Sequence, residues 1–330
     1  MKTTDIFSPR ENLKPYEYPE LLGFVDAIDD SFWTVRKFSF EKDVMEYNFD
    51  LTKEEKSLIQ RSMLSISQVE NSVKTFFARL DMRCPKPEIS FAGAKFAANE
   101  STHSLAYSKC LENLNLDAEF LQLLNVPCMK GRLIYLKKYL LGLNSRSNKE
   151  FTKSLALFTL LIENISLYSA FYGMTAIKKN RNMMKTTGKI VQATMVEERL
   201  HSLFGATLLK IIRKENPEWF DEEMEQKIRR NVRKAVEAEK KVIDWMFENG
   251  EPDYIKKEYV VEYLKYRAND SLSLIGYKPE YEVDKKLLKH SNYLEIMQKS
   301  QVEVDFFDDR VTDYNKNIDF EDEGLYDDIN

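Results

Sequence analysis

Two short motifs in this chain carry residue types that bind metal ions. Glu100-Ser-Thr-His103 and Glu198-Arg-Leu-His201 each place a carboxylate three residues before an imidazole. On an α-helix, residues three apart are neighbours on the surface, so both side chains of one motif can reach one ion. The chain has 3 histidines, and two of them lie in these motifs. The spacing therefore predicts two halves of a metal site on two separate helices.

A dinuclear site needs two more carboxylates, each from a further helix. Helix bundles with two Glu-x-x-His motifs take one additional Glu from each of two other helices. Glu70 lies in the apolar stripe of a predicted helix, and Glu163 is an isolated acid in a run of Leu, Phe and Ile residues. A carboxylate buried without a partner is costly, so each of these two needs a proton, a buried cation or a metal ion.

The metal interpretation accounts for these residues together. Taken alone, a Glu-x-x-His motif is more often a pair of exposed neighbours than a pair of ligands. Two motifs and two acids within apolar stripes instead give four negative charges, which two divalent ions would balance. Oxygen and nitrogen ligands without thiolate favour iron or manganese over a structural zinc site. The predicted ligands are Glu70, Glu100, His103, Glu163, Glu198 and His201.

A tyrosine follows the first motif by one helical turn. Tyr107 shares the predicted helix face of His103. A tyrosine on an apolar face is most often a core residue whose hydroxyl is hydrogen-bonded. Beside a redox-active metal pair, Tyr107 becomes a candidate for one-electron oxidation.

The composition predicts an all-α protein. Gly and Pro number 10 and 9 in 330 residues, so long stretches lack helix breakers. We expect a helix that begins after Asp50, with Asp50 or Thr52 as its N-cap, and runs to about Leu80. A strongly apolar helix over about 149–174 should carry Glu163. The two motifs should lie on helices that begin after Pro87 and span about 187–214. Further helices are expected near 116–124, 130–141, 218–249, 256–275 and 285–293.

The chain divides into three predicted regions. Residues 1–50 read as an arm with short helices, 51–301 as the helical domain, and 302–330 as a flexible acidic tail. The net charge of -5, without a basic stripe, argues against nucleic acid as a partner. The first residues lack a signal-peptide pattern, and no apolar run of about 20 residues suggests a membrane span. With 3 cysteines that form no paired motif, a cytoplasmic protein is expected.

The sequence resembles the radical-generating small (β) subunit of class I ribonucleotide reductase over about residues 33–314. The matching segments are Glu100–Tyr107, Glu197–His201, Tyr266–Tyr277 and Asp305–Tyr314. The tyrosine four residues after the ligand histidine is the specific mark of that family. The resemblance implies a ferritin-like helical bundle with extra helices and a flexible C-terminal tail. The six ligands above would hold two iron or two manganese ions.

The resemblance also implies roles for four residues outside the ligand set. Tyr107 would hold the radical position, and Trp33 matches the family's tryptophan near the metals. Glu197 takes the place of the acid that links this tryptophan to a ligand histidine. Tyr314 matches the tail tyrosine that relays oxidation to the large subunit. Without the resemblance, Trp33 would be interpreted as a packed core residue, Glu197 as a solvated or salt-bridged acid, and Tyr314 as an aromatic residue of the tail without a function.

The implied partners are a second copy of the chain, the large (α) subunit docked through the C-terminal tail, and a flavoprotein activator. Glu70 and Glu197 depart from the familiar pattern, which has Asp at both positions. Their longer side chains can change how the ligands bridge the metals and which metal they prefer, and Glu70 slightly favours manganese. The sequence resembles relatives that use manganese and keep the oxidant on the metals although a tyrosine is present, so Tyr107 and the metals are both candidates for the oxidant. The rival functions are an oxidase of the same bundle acting on a fatty or hydrocarbon substrate, an iron-storage protein and a helical scaffold.

Overall fold

The computed structural model describes residues 5–298, except for the side chains of 70–72, 135 and 137–141. Within this part of the chain the regular elements are helices and no strand occurs, as the composition predicts. The α-helices are α1 (Leu22–Asp30), α2 (Glu41–Met45), α3 (Lys53–Ala78), α4 (Pro87–Asn113), α5 (Asp117–Gln122), α6 (Pro127–Leu140), α7 (Asn148–Leu157), α8 (Tyr168–Arg181), α9 (Lys185–Glu215), α10 (Glu222–Met246), α11 (Lys257–Leu274) and α12 (Lys285–Leu288).

Four helical segments form the centre of the bundle. Helix α3 packs against α4 and α8, while α9 packs against α8, α4 and the segment between α7 and α8. The four central segments are α3, α4, α9 and the segment between α7 and α8, and each carries one of the acids or motifs predicted to bind metal. The bundle therefore brings four distant parts of the sequence to one place.

The start of α3 is fixed by a capping box. The hydroxyl of Thr52 accepts a hydrogen bond from the Glu55 amide at 3.3 Å, and the Glu55 carboxylate accepts one from the Thr52 amide at 2.8 Å. Two amides that the first helical turn leaves without partners are thereby satisfied. Of the two cap residues expected, Thr52 is the one used.

The apolar stretch after residue 148 is not the continuous α-helix expected from its sequence. A π-helical segment, Phe158–Ser166, separates α7 from α8, and Glu163 lies inside it. A π-helix has one more residue per hydrogen-bonded turn than an α-helix, which changes the direction of the side chains that follow. The expected single helix over 149–174 was therefore wrong in its middle third.

The whole stretch from Asn148 to Arg181 is long and apolar enough to cross a membrane by length and composition. Its most apolar part is entirely buried inside the protein, as expected for the central helix of a bundle, whereas Glu150 and residues 179–181 at its ends are exposed. Its apolar character is thus explained by packing against neighbouring helices.

Helix α9 lies unusually close to the π segment. A Cβ added to Gly205 would come within 2.1 Å of the Thr159 hydroxyl, so a larger residue would push the two apart. Gly205 lies one turn beyond His201 on α9. The glycine therefore allows the second motif to approach the segment that carries Glu163.

The first turn of α9 is capped by acids from α2 and from the residue that follows it. Asp43 accepts hydrogen bonds from the amides of Thr186 at 3.1 Å and Thr187 at 2.7 Å. Glu46 accepts one from the Met184 amide at 2.6 Å. Negative charge near a helix N-terminus also interacts favourably with the helix dipole. The helix consequently begins at Lys185, two residues earlier than its sequence pattern indicates.

Candidate metal centre

Five of the six predicted ligands have described side chains, and the structure brings all five together. Glu100, Glu163, Glu198 and His201 each present a nitrogen or oxygen atom within 4.8 Å of those of the others. His103 joins them through its Nδ1 atom, which lies 3.2 Å from Glu198 Oε1. All five side chains are buried. Helices α4 and α9 supply one motif each, and the π segment supplies Glu163.

The imidazole of His201 faces three carboxylates. Its Nδ1 atom lies 2.9 Å from Glu100 Oε1, 3.2 Å from Glu163 Oε2 and 3.6 Å from Glu198 Oε2. The other face of the site is apolar, because the rings of Phe77 and Phe96 lie 4.9 Å and 4.6 Å from the imidazole centroid. This half of the cluster is enclosed by aromatic side chains.

The imidazole of His103 has acids on both ring nitrogens. Nδ1 faces Glu198 and lies 3.7 Å from Glu100 Oε2, while Nε2 lies 2.6 Å from Glu197 Oε2. The Trp33 indole N–H donates to the same Glu197 oxygen at 2.9 Å. The rings of Trp33 and His103 are nearly parallel, with centroids 6.1 Å apart. A chain of hydrogen bonds thus connects the cluster to a tryptophan in the N-terminal part of the chain.

The charges of this cluster shift the pKa values of its members. Burial disfavours the charged form of both imidazoles, but the surrounding glutamate carboxylates stabilise the protonated rings as acceptors, outweigh the burial and raise the pKa of His103 and His201 well above the usual range. Burial and the nearby Glu198 charge raise the pKa of Glu163. Burial acts in the same direction on Glu198, but the nearby Glu163 and both imidazoles stabilise its charged form and lower its pKa. Without a metal ion, protons on the imidazoles and Glu163 would offset the charge of the site.

The buried carboxylates of the cluster lack partners that a pair of divalent ions would supply. Neither carboxylate oxygen of Glu100 or Glu198 has a hydrogen bond of normal geometry among the described residues, although the acids are buried side by side. Buried polar atoms in folded proteins are otherwise nearly always paired. Carboxylates and imidazoles that converge in this way are suitable ligands for iron or manganese.

The remaining predicted site residues lie in three different situations. Glu70 lies on α3, but its side chain is outside the described residues, and so is Tyr314 with the whole tail. Tyr107 is fully buried on α4, one turn beyond His103. Trp33 and Glu197 are buried and in contact with each other. Their roles in the reaction stay predictions.

Sequence reasoning missed several residues around the cluster. The Ser31 hydroxyl donates to the second oxygen of Glu197 at 3.3 Å, which helps to orient that carboxylate. Phe77 lies on α3 and Phe96 lies on α4, but neither was assigned to the site from the sequence. The spacing of Phe96 one turn before Glu100 was the signal available for it.

The family model for "Ribonucleotide reductase, small chain" matches residues 10–288. A probable ribonucleoside-diphosphate reductase small subunit of Invertebrate iridescent virus 3 is 24% identical over 326 residues, which cover 94% of this chain and 86% of the viral one.

Two solved structures share the fold. The ribonucleotide reductase R2 subunit from Clostridium botulinum has a TM-score of 0.75 at 19% identity, covering 86% of this chain and 89% of its own. The dimanganese(II)-NrdF of Streptococcus sanguinis has a TM-score of 0.72 at 15% identity, covering 86% of this chain and 99% of its own. The helical bundle is therefore ferritin-like, as expected, and the chain belongs to the ribonucleotide reductase small-chain family.

Proposed function

We propose that this chain generates and stores the one-electron oxidant that starts the reduction of ribonucleotides to deoxyribonucleotides on a large subunit. The single observation that carries the proposal is the hydrogen-bonded connection from the Glu/His cluster through His103 and Glu197 to Trp33. An iron store or an oxidase of a fatty substrate has no need of such a connection. Family membership supports the reductase over those two alternatives.

The cluster would hold two iron or two manganese ions. Glu70, Glu100, His103, Glu163, Glu198 and His201 are the proposed ligands. The bound pair would supply the redox chemistry, and the protein supplies ligand positions and a dry surrounding. The presence of glutamate at position 70 and the dimanganese(II) protein of the same fold support manganese slightly over iron.

Glu197 is proposed to accept the indole proton of Trp33 when Trp33 gives an electron to the stored oxidant. Its Oε2 atom accepts the indole N–H of Trp33 and faces His103 Nε2. When Trp33 gives up an electron, its indole proton becomes strongly acidic, and the neighbouring carboxylate can accept it. Because the pair then carries no additional buried charge, the step avoids much of the cost of placing an isolated charge in an apolar interior.

Two tyrosines complete the proposed pathway. Tyr107, buried one turn from His103, is one site for the stored oxidant, and the metal pair is the alternative. Tyr314 would relay the oxidation to the large subunit, and the tail over 302–330 would dock onto that subunit. We further propose a cytoplasmic homodimer, which a flavoprotein would activate if manganese is used.

The proposal is tested by replacing the tryptophan of the connection. Trp33→Phe should keep its metal content but nearly lose ribonucleotide reduction with the large subunit, because phenylalanine has no N–H for Glu197 and is harder to oxidise. The matched control is Trp219→Phe, at a half-buried indole whose ring lies 5.8 Å from Phe7. Metal analysis and turnover are measured after loading with iron or manganese, and electron paramagnetic resonance shows whether a tyrosyl signal accompanies activity. Full turnover by Trp33→Phe would reject the proposal.

A further inference from the structure

The π segment that carries Glu163 has an unusual set of hydrogen-bond donors around its backbone. A π-helical turn disturbs the regular backbone hydrogen bonds, so its carbonyl groups need other partners. Ser271 Oγ donates to the Leu160 carbonyl at 2.6 Å, and Ser166 Oγ donates to that of Leu161 at 2.8 Å. Two arginines, Arg267 and Arg132, donate hydrogen bonds to backbone carbonyls that follow Glu163.

Arg267 holds the residue directly after Glu163 by both its backbone and its side chain. Its Nε atom donates to the Asn164 carbonyl at 3.3 Å, and its Nη2 atom donates to the Asn164 side-chain oxygen. The guanidinium lies over the ring of Tyr168, 3.7 Å from the centroid. These contacts reach the π segment and the first residue of α8 from helix α11.

The position of Arg267 has an energetic cost that its contacts must offset. The side chain is 0% exposed, and burying a charged group is unfavourable unless it is paired and hydrogen-bonded. Asp270 and Glu295 each lie 3.6 Å from Nη1, and Nη1 donates to Gln298 at 3.2 Å. These contacts restrain the guanidinium of Arg267, and the restrained guanidinium in turn restrains the π segment through Asn164.

Arg132 makes a similar connection three residues beyond Glu163. Its Nη2 atom donates to the Ser166 carbonyl, and its Nη1 atom donates to the Ser65 carbonyl on α3 at 2.7 Å. Its Nε atom pairs with Glu239 at 2.8 Å. Arg132 therefore ties the end of the π segment to α3 and α10.

We propose that Arg267 is a positioning residue for the metal centre, which holds the π segment in the register that directs Glu163 towards His201. Successive helical residues differ in direction by roughly 100°, so a π segment that relaxed by one residue into an α-helix would turn Glu163 away from the cluster. Arg267 opposes this change because both of its bonds to Asn164 require the present register. The inference rests on the proposed role of Glu163 as a ligand.

The test compares two arginine-to-lysine variants that keep the positive charge. Arg267→Lys removes the forked contact with Asn164, and Arg61→Lys is the matched control. Arg61 also donates to a carbonyl, that of Trp245, lies 5.1 Å from the same residue's ring and pairs with Glu248, but it does not contact the π segment. Mn(II) is titrated into each metal-free protein, and free Mn(II) is measured by electron paramagnetic resonance.

Arg267→Lys should weaken binding of Mn(II) by about 10-fold, the lower end of the effect of removing partners that orient ligands. Arg61→Lys should bind as the unchanged protein does. Hydrogen exchange should also become faster for the amides of 158–168 in Arg267→Lys alone. Unchanged affinity in Arg267→Lys, or an equal loss in Arg61→Lys, would overturn the inference.

Two more variants keep the test decisive. If Arg267→Lys does not fold, Asn164→Ala replaces it, because this change removes the side-chain acceptor and leaves the arginine in place. Weaker Mn(II) binding in Asn164→Ala supports the inference, and unchanged binding overturns it. Glu163→Gln distinguishes the ligand assignment from the positioning role. If Glu163→Gln binds Mn(II) normally, the proposed ligand set is wrong. If Glu163→Gln loses binding while Arg267→Lys binds normally, only the positioning role is rejected.

Discussion

The two Glu-x-x-His motifs are alike in sequence but have different surroundings in the structure. Behind His103 lies a polar connection, because its Nε2 atom meets Glu197, which in turn accepts the indole N–H of Trp33. Behind His201 lie aromatic rings, and its Nε2 atom has no hydrogen-bond partner among the described residues. One half of the site is connected to the rest of the protein by hydrogen bonds, and the other half is closed by apolar packing.

This difference assigns different tasks to identical motifs. A hydrogen-bonded imidazole can transmit a change of charge or a proton to the group behind it. An imidazole against phenylalanine rings cannot do so, but the rings exclude water and prevent reactions of the oxidant with solvent. The comparison therefore predicts that the centre takes up an electron through the His103 half, by way of Trp33, while the His201 half protects the centre.

The largest effect is expected where the two halves meet. Glu198 faces His103 Nδ1 at 3.2 Å and His201 Nδ1 at 3.6 Å, so Glu198→Ala removes a proposed ligand shared between both halves. Manganese retained after desalting should fall to background, and turnover should be lost with it. Metal analysis by mass spectrometry checks this against Glu222→Ala, an exposed acid in the first turn of α10. Normal metal content in Glu198→Ala would contradict the shared-ligand assignment.

A smaller and more selective effect is expected in the polar half. Glu197→Gln keeps the size of the side chain but removes the charge that faces His103 and Trp33. Turnover with the large subunit should fall by about 10- to 100-fold, as is typical for partners behind metal ligands. The fold should be retained, as checked by circular dichroism. If turnover is unchanged while Trp33→Phe is inactive, the proton-accepting role of Glu197 is wrong.

The smallest effect is expected in the apolar half. Phe96→Leu removes part of the ring that packs against His201 and should lower the free energy of unfolding by about 1 to 2 kcal/mol. Turnover and metal content should remain close to normal, because no hydrogen bond is lost. Urea denaturation of the metal-free protein measures the stability. A loss of turnover as large as that of Glu197→Gln would remove the distinction between the two halves.

The sequence was sufficient for the fold class and for much of the cluster, because helical periodicity and three-residue spacing are local properties. The helices that carry Glu100 and Glu198 occur where the pattern places them. The π segment was not predictable in this way, since its residues are buried on every side and their sequence shows no separate polar and apolar faces. A change of helical register then leaves no mark in the pattern of polar and apolar residues.

The contacts of Glu197 and the buried arginines also depend on the folded structure. Glu197 directly precedes the ligand motif on α9, but its partner His103 is on α4, so only the resemblance to the family indicated their connection. Arg132 and Arg267 are charged residues that a pattern would assign to the surface. Their burial follows from carbonyl groups of the π segment, which the sequence does not reveal. The roles of Tyr107 and Tyr314 stay predictions.

The caps at the start of α9 have a consequence for the geometry of electron transfer. Asp43 and Glu46 follow Trp33 closely in the chain, and they fix the first turn of the helix that also carries Glu197. The segment that follows Trp33 and the helix that carries Glu197 are therefore joined by these hydrogen bonds, in addition to the bond between Trp33 and Glu197. Separating the indole from the carboxylate would strain the hydrogen bonds at the start of α9 as well, so these caps help to hold the electron donor and the proton acceptor close together.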